Sequence, residues 1–226
     1  ADLLRMAAGK KSAHKMVPGF AFDANEDFIA SLLQAYFDGD GNVSVIRNVI
    51  RASSNSEELI DGVSLLLARL GIFSVKNSDK KAQYWVSISY RYSKMFLEKI
   101  GSSVPEKRAA LVKLVEKLKE TENSGKSYDI IDMVPGYGDL FGTLGLKLGL
   151  PSRLVTKLTK KQEVGRTALA RYAKNFLAIA TEKGVDISEE IGTIRKMLNA
   201  DVVWDEIVRL EHVESGTPYV YDFSVE

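Results

Sequence analysis

The 226-residue chain has no cysteine. Disulfides, thiolate metal sites and cysteine nucleophiles are therefore excluded. It has 2 histidines, His14 and His212, too few for a histidine-rich zinc site. Charge of either sign is not in excess: 31 Lys and Arg against 30 Asp and Glu give a net charge of +1. A nucleic-acid surface would have to come from local clustering of basic residues. No apolar run approaches the length of a membrane span. The opening ADLLRMAAGKKSAHK lacks the apolar core of a secretory signal. These absences lead us to expect an intracellular, cytoplasmic protein with no membrane partner.

What is present divides into three pieces, with expected boundaries at 1–120, 121–200 and 201–226. In the first, Phe28, Ile29, Leu32, Leu33, Tyr36 and Phe37 have helical spacing and make a wide apolar face. Ala30, Ser31 and Ala35 add small residues that permit close approach of another helix. Gly41-Asn42 ends the helix. VSVIRNVIRASS (43–54) reads as one or two strands, and Ser56 as the N-cap of a helix through Leu70. IFSVKNSDKKAQYWVSISY (72–90) reads as a hairpin. Further helices are expected at 92–101 and 105–120, the latter with Pro105 near its first position.

A polar linker, TENSGKS (121–127), follows. The segment 129–153 is rich in glycine. Helices are expected between Leu154 and Lys183 and from Ser188 to Leu198. Between 152 and 176, seven basic residues, including Arg153, Lys160, Lys161, Arg166 and Arg171, face the single acid Glu163. Val164 to Leu169 reads as the turn and start of a recognition helix, so this piece is expected to be helical, basic and able to contact DNA. GYGDLFG and GTLGLKLG lack phosphate-loop spacing. The end, 202–226, reads as two strands about a turn at Glu214 to Pro218.

One stretch conflicts with helix electrostatics. The first helix runs into Asp38-Gly39-Asp40-Gly41, although helix C-termini favour cations. Asp-Gly pairs are common in solvated turns. A bound cation is the other explanation.

Leu33-Gln34-Ala35-Tyr36-Phe37-Asp38-Gly39-Asp40-Gly41 resembles the motif of LAGLIDADG homing endonucleases. It matches at Leu33, at the small Ala35 and at the closing Asp-Gly-Asp-Gly, and departs at Gln34 and Tyr36. HKMVP (14–18) resembles a Lys-x-x-Pro-like block found upstream of the motif in intein endonucleases. SEELIDGVSLLLARLGI (56–72) and FLEKIG…EKRAAL (96–111) resemble the blocks that follow. WDEIVRLEHVE (204–214) and TPYVYDFSVE (217–226) resemble strands near the C-terminal splice junction of inteins. The resemblance covers most of 12–120 and 202–226, and 128–200 only loosely.

The resemblance implies an α+β endonuclease repeat, a helical basic subdomain and a β tail of the splicing fold. It implies an intein-encoded nuclease that cuts double-stranded DNA at specific sites. Mg²⁺, or another divalent cation such as Mn²⁺, would be the cofactor. Asp40 corresponds to the metal-binding acid, with the Gly39 carbonyl as a possible second ligand. Asp38 is assigned to bracing the turn. Lys15 and Lys107 correspond to basic groups that support catalysis, with Arg108 as the rival of Lys107. Each reads equally as a solvated surface lysine.

A β-ribbon fits the DNA major groove. Ser44, Arg47, Arg51, Ser53, Lys76, Lys80, Lys81, Gln83 and Arg91 are the candidate DNA contacts on the strands and their connections. A solvated sheet face is the alternative. Asp222 matches a polar position of the splice-junction block, or is a strand-edge acid.

Single-chain members of the family carry two motifs, and one is found here. The expected partner is thus a second repeat, from a preceding part of an intein or from a second copy of the chain. The splicing nucleophile, the Thr-x-x-His block and the terminal His-Asn are not in the sequence, so unaided splicing is not expected. A non-cleaving DNA-binding module and an inactive intein fragment remain open readings.

Overall fold

A computed structural model describes residues 8–80, 83–124, 133–200, 202–204, 207, 209–212, 214 and 216. The expected α+β order is present. The motif helix α1 is Glu26–Asp40, followed by β1 (Gly41–Ser44) and β2 (Val49–Ser54). Then come α2 (Glu57–Arg69), β3 (Val75–Ser78) and β4 (Tyr84–Ser89). A 3-10 turn, Tyr90–Tyr92, leads to α3 (Ser93–Lys99) and α4 (Pro105–Ser124).

The four strands pair antiparallel in the order β1-β2-β4-β3. Strand alternation separates two faces. Ile50 and Ala52 of β2 and Val86 and Ile88 of β4 are buried beneath the helices. Arg51, Ser53, Trp85 and Ser87 occupy the other face, where Arg51 is registered against Ser87 and Ser53 against Trp85.

Local chemistry sets the helix ends. Ser56 caps α2, its hydroxyl accepting from the Leu59 N–H at 3.2 Å. The same hydroxyl donates to the Lys15 carbonyl at 2.5 Å, which docks HKMVP on the start of α2. Val17 is buried there against Gly62, where a Cβ would come within 2.6 Å of its Cγ2.

A second core lies in residues 133–200. It contains β5 (Met133–Pro135), α5 (Tyr137–Lys147), α6 (Ser152–Thr159), β6 (Glu163–Gly165), α7 (Arg166–Lys183) and α8 (Ser188–Leu198). The glycine-rich stretch, for which the sequence suggested no helix, forms α5. Gly138, Gly142 and Gly145 point at α6: added Cβ atoms would lie 2.2 Å from the Thr159 carbonyl oxygen, 2.6 Å from Thr159 Oγ1 and 2.9 Å from Val155 Cγ2. Close packing outweighs the low helix propensity of glycine.

In 164–169, read as the turn and start of a recognition helix, Val164 and Gly165 are strand residues and α7 starts at Arg166. Val164 belongs to β6, which pairs with β5 through Val134, and its 3% exposure leaves it no surface for DNA. The described residues between Val202 and Gly216 belong to no helix or strand. Asp222 and the rest of 217–226 lie outside the described residues. No helix among the described residues is long and apolar enough to cross a membrane.

Candidate active site at the end of the motif helix

Helix α1 starts on Asn25, whose side chain accepts from the Phe28 N–H at 3.0 Å, with Glu26 and Asp27 in the first turn. Acids there complement the helix dipole. Ile29, Leu33 and Phe37 are buried, and Phe37 meets Phe96 edge-on with centroids 5.0 Å apart. The helix continues through the Asp-Gly pairs to Asp40, so the first three motif residues of Asp38-Gly39-Asp40-Gly41 are its last turn rather than a loop. Gly41 ends it. Its N–H donates to the Phe37 carbonyl, and a Cβ at this position would sit 2.4 Å from that oxygen.

The junction between α3 and α4 neutralises this helix end. Lys107 Nζ donates to the carbonyl oxygens of Phe37 at 3.0 Å and Asp38 at 2.8 Å. The Asp38 carboxylate accepts from the Ser102 hydroxyl, from the Ser103 N–H at 2.9 Å and from the Ser103 hydroxyl at 2.6 Å. Gln34 Nε2 donates to the Ile100 carbonyl at 2.6 Å. Burial works to raise the Asp38 pKa. The Ser102 and Ser103 hydrogen bonds and the Lys107 charge outweigh it and hold the carboxyl below its ordinary value. Ser102, Ser103 and Gln34 had no signal in the sequence, because their role depends on a contact with a segment more than sixty positions away.

Asp40 is different. It is exposed and forms no hydrogen bond or ion pair among the described residues. A Cβ at Gly39 would meet nothing within 4 Å, so this part of the helix is open to an approaching group. Tyr36, one turn before, donates its hydroxyl to the Ser53 carbonyl at 3.3 Å. Burial first, and the Asp40 charge second, push its pKa to about 12. The phenol therefore stays protonated and ties α1 to β2.

Lys107 and Asp40 thus belong to the same helix end, with Lys107 acting on backbone carbonyls. The Lys15 side chain is exposed and its backbone sits at the α2 cap; no contact joins it to Asp40. Arg108 is exposed and lies near Gly101.

The strand candidates divide. Ser44, Arg51 and Ser53 fall on the face away from the helices by register. The Arg51 guanidinium lies over the Trp85 ring, 5.3 Å from its centroid. Arg51 Nε, Trp85 Nε1 and Ser87 Oγ are buried there without a hydrogen-bond partner among the described residues. Arg47 is exposed in the β1–β2 turn, its N–H donating to Ser44 Oγ at 3.2 Å. Lys80 and Gln83 are exposed at the β3–β4 connection, where the Gln83 N–H donates to Asp79 Oδ1 at 3.0 Å. Lys81 lies outside the described residues. Arg91 is half-buried over the Tyr92 ring at 5.6 Å.

Lys76 departs from this set. Register pairs it with the buried Val86, on the helix side of the sheet, where its ammonium pairs with Asp61 at 2.6 Å. Lys76 is thus tied to α2, while Lys80 is exposed beyond the end of β3.

Of the basic candidates in the second core, Arg153, Lys160 and Arg171 are exposed, and Lys161 lies 5.6 Å from the Tyr172 ring centroid. Arg166 is a structural residue. Its guanidinium donates to the carbonyls of Met197 at 2.7 Å, Leu198 at 3.2 Å and Ala200 at 3.4 Å, and to that of Val202.

No group of three or more His, Asp or Glu among the described residues could enclose a metal. The donor chemistry at Asp40 nevertheless fits a hard cation. Such ions take carboxylate oxygen, and Mg²⁺ commonly uses one or two carboxylates together with phosphate and water. Asp38 already accepts three hydrogen bonds from Ser102 and Ser103.

Residues 27–101 match the family model of the LAGLIDADG-like domain. The chain is 44% identical over 220 residues to the DNA-directed RNA polymerase subunit Rpo1C of Methanocaldococcus jannaschii, covering 96% of this chain and 25% of that protein. It is 30% identical over 220 residues to elongation factor 2 of Methanopyrus kandleri, covering 96% of this chain and 16% of that protein. It is 27% identical over 228 residues to the replicative DNA helicase DnaB of Rhodothermus marinus, covering 96% and 23%. The chain thus spans a quarter or less of the length of these curated relatives. The domain match supports the homing-endonuclease family for the segment that carries the motif helix, its four strands and α2 and α3.

Proposed function

We propose that the chain is part of an intein and that its LAGLIDADG-like domain cleaves double-stranded DNA with a divalent cation. The observation that carries the reading is Asp40. It is the one acid of the motif left exposed and uncommitted, at a helix end whose carbonyls are already neutralised by Lys107.

Asp40, with the Gly39 carbonyl, would hold the cation. A divalent ion in such a site supplies an activated water and stabilises charge on the leaving oxygen. Lys107 keeps the helix terminus from repelling an incoming phosphate. Tyr36 fixes α1 against β2, so that Asp40 keeps its position relative to the sheet. The face of Arg51, Trp85 and Ser87 supports DNA contact, because buried polar atoms without partners are rare unless a ligand or water satisfies them. Lys15 is retained as a supporting base from the docked HKMVP segment.

One carboxylate is half of the expected set. Ser31, Ala35 and Gly39 line an exposed side of α1, and Phe28 on the same helix is 43% exposed and packs edge-on with the 59% exposed Phe20. Such a face suits a second motif helix bringing a second acid. The intein reading is supported by the relatives. One segment recurs at 25% or less of a polymerase subunit, an elongation factor and a helicase. Their names share no activity, as expected of an inserted element.

The test is linearisation of a plasmid library with random inserts, in Mg²⁺, by the chain alone and with a second LAGLIDADG repeat supplied. Asp40→Asn should abolish cutting while retaining DNA affinity. Equal cutting by the variant, or no cutting when the second repeat is present, would sink the nuclease reading. Retained sequence-specific binding in the latter case would favour a non-cleaving DNA-binding module, consistent with the single available carboxylate.

A further inference from the structure

The second core contains a two-helix unit that the nuclease reading does not use. Helix α5 ends in a Schellman turn. The Leu150 N–H donates to the Gly145 carbonyl at 2.8 Å and the Gly149 N–H to the Leu146 carbonyl at 3.0 Å, with Gly149 at φ +59°. Pro151 then opens α6, its carbonyl accepting from the Val155 N–H at 3.1 Å. Two helices joined by a short glycine-containing turn are the layout of a helix-turn-helix, in which the second helix reads DNA.

The two sides of α6 differ sharply. Leu158, at 3% exposure, and the half-buried Val155 face inward, and Val155 and the exposed Thr159 lie against the glycines of α5. Arg153, Thr156, Lys157 and Lys160 fall within an arc of about 100° on the opposite side, at helical spacing. All four are exposed. None of the three cations forms an ion pair among the described residues. The β5–β6 ladder and Arg166 hold the end of this unit against α7 and α8.

We propose that α5, the Leu148–Pro151 turn and α6 form a helix-turn-helix that lays the Arg153–Thr156–Lys157–Lys160 face of α6 in the major groove of duplex DNA. Three unpaired cations around a small hydroxyl complement a groove lined by phosphates and base edges, and the B-form major groove admits one α-helix. Glycine-mediated contact with α5 fixes the helix before binding, so its orientation is preorganised. The inference takes its ligand from the DNA reading above but rests on a different surface. It moves the reading helix from 164–169, where the sequence suggested it, to 152–159.

The experiment uses the full chain and a labelled random-sequence DNA duplex, with binding measured by anisotropy across a salt series. Replacing Arg153, Lys157 and Lys160 together by Ala should weaken binding about tenfold or more. The slope of log affinity against log salt should become shallower by about 0.9 for each phosphate that the variant no longer neutralises. The thermal midpoint should not move, because all three side chains are exposed. Removing the same number of charges at Lys113, Lys119 and Lys196 should leave affinity nearly unchanged. Equal losses in the two triple variants would overturn the proposal, as would equal binding of duplex RNA, whose deep major groove excludes a helix. An unaffected α6 variant beside a weakened Arg51→Ala variant would overturn it while leaving the sheet reading intact. Absence of duplex binding by the unaltered chain would overturn both.

Discussion

Lys107 donates to the Asp38 carbonyl at 2.8 Å, across an interval of 69 positions. It meets the Phe37 carbonyl as well. A side-chain cation thus takes the place of the basic residue missing from the last turn of α1. Lys107→Met keeps much of the side-chain bulk and removes the charge. It should lower stability by about 1–2 kcal/mol, through loss of charged hydrogen bonds and of the dipole interaction. Chemical denaturation would read the change. An unaltered midpoint would show that water replaces the ammonium without cost.

Asp38 adds an acid-sensitive element. Its folded-state pKa lies below the ordinary value of 3.8. The folded state therefore holds its proton less tightly than the unfolded chain. The associated stability is present above the ordinary value and is lost as pH falls through the folded value. Unfolding followed from about pH 5 downward should show a steeper loss in the unaltered chain than in Asp38→Asn. Identical acid profiles would remove Asp38 from this role.

The α5–α6 contact predicts intolerance of a single methyl group. Gly142→Ala would place a Cβ 2.6 Å from Thr159 Oγ1. The expected cost is about 1–3 kcal/mol, typical of overpacking. Combining it with Thr159→Ser, which frees one methyl but keeps the hydroxyl, should recover little. Combining it with Thr159→Gly should relieve the clash, although that glycine carries its own helix cost. Calorimetry of the three variants measures this directly. A gain in stability from Gly142→Ala alone would contradict the close approach.

The α1 apolar spacing, the Ser56 cap and the β-branched runs were enough to read the helix, strand and hairpin order of the first unit. These are local signals, and the structure keeps them. The place of Asp40 at the helix end was legible for the same reason, as part of a contiguous motif. What escaped was non-local. Ser102 and Ser103 are ordinary loop residues until Asp38 reaches them. Lys76 reads like its neighbours until strand register turns it toward Asp61. The glycines of α5 look like loop punctuation, and only the presence of α6 against them explains a helix. Arg166 shared its basic character with Arg153, yet one side chain points at carbonyls and the other at solvent.

That last contrast has a mechanical side. Arg166 gathers the carbonyls of Met197, Leu198, Ala200 and Val202 at the start of α7. Tension applied to the chain after Val202 is therefore borne by a cluster of hydrogen bonds loaded together, rather than by the last turn of α8 unzipping one bond at a time. Force transmitted through the chain after Val202 thus reaches the helical unit at a single side chain.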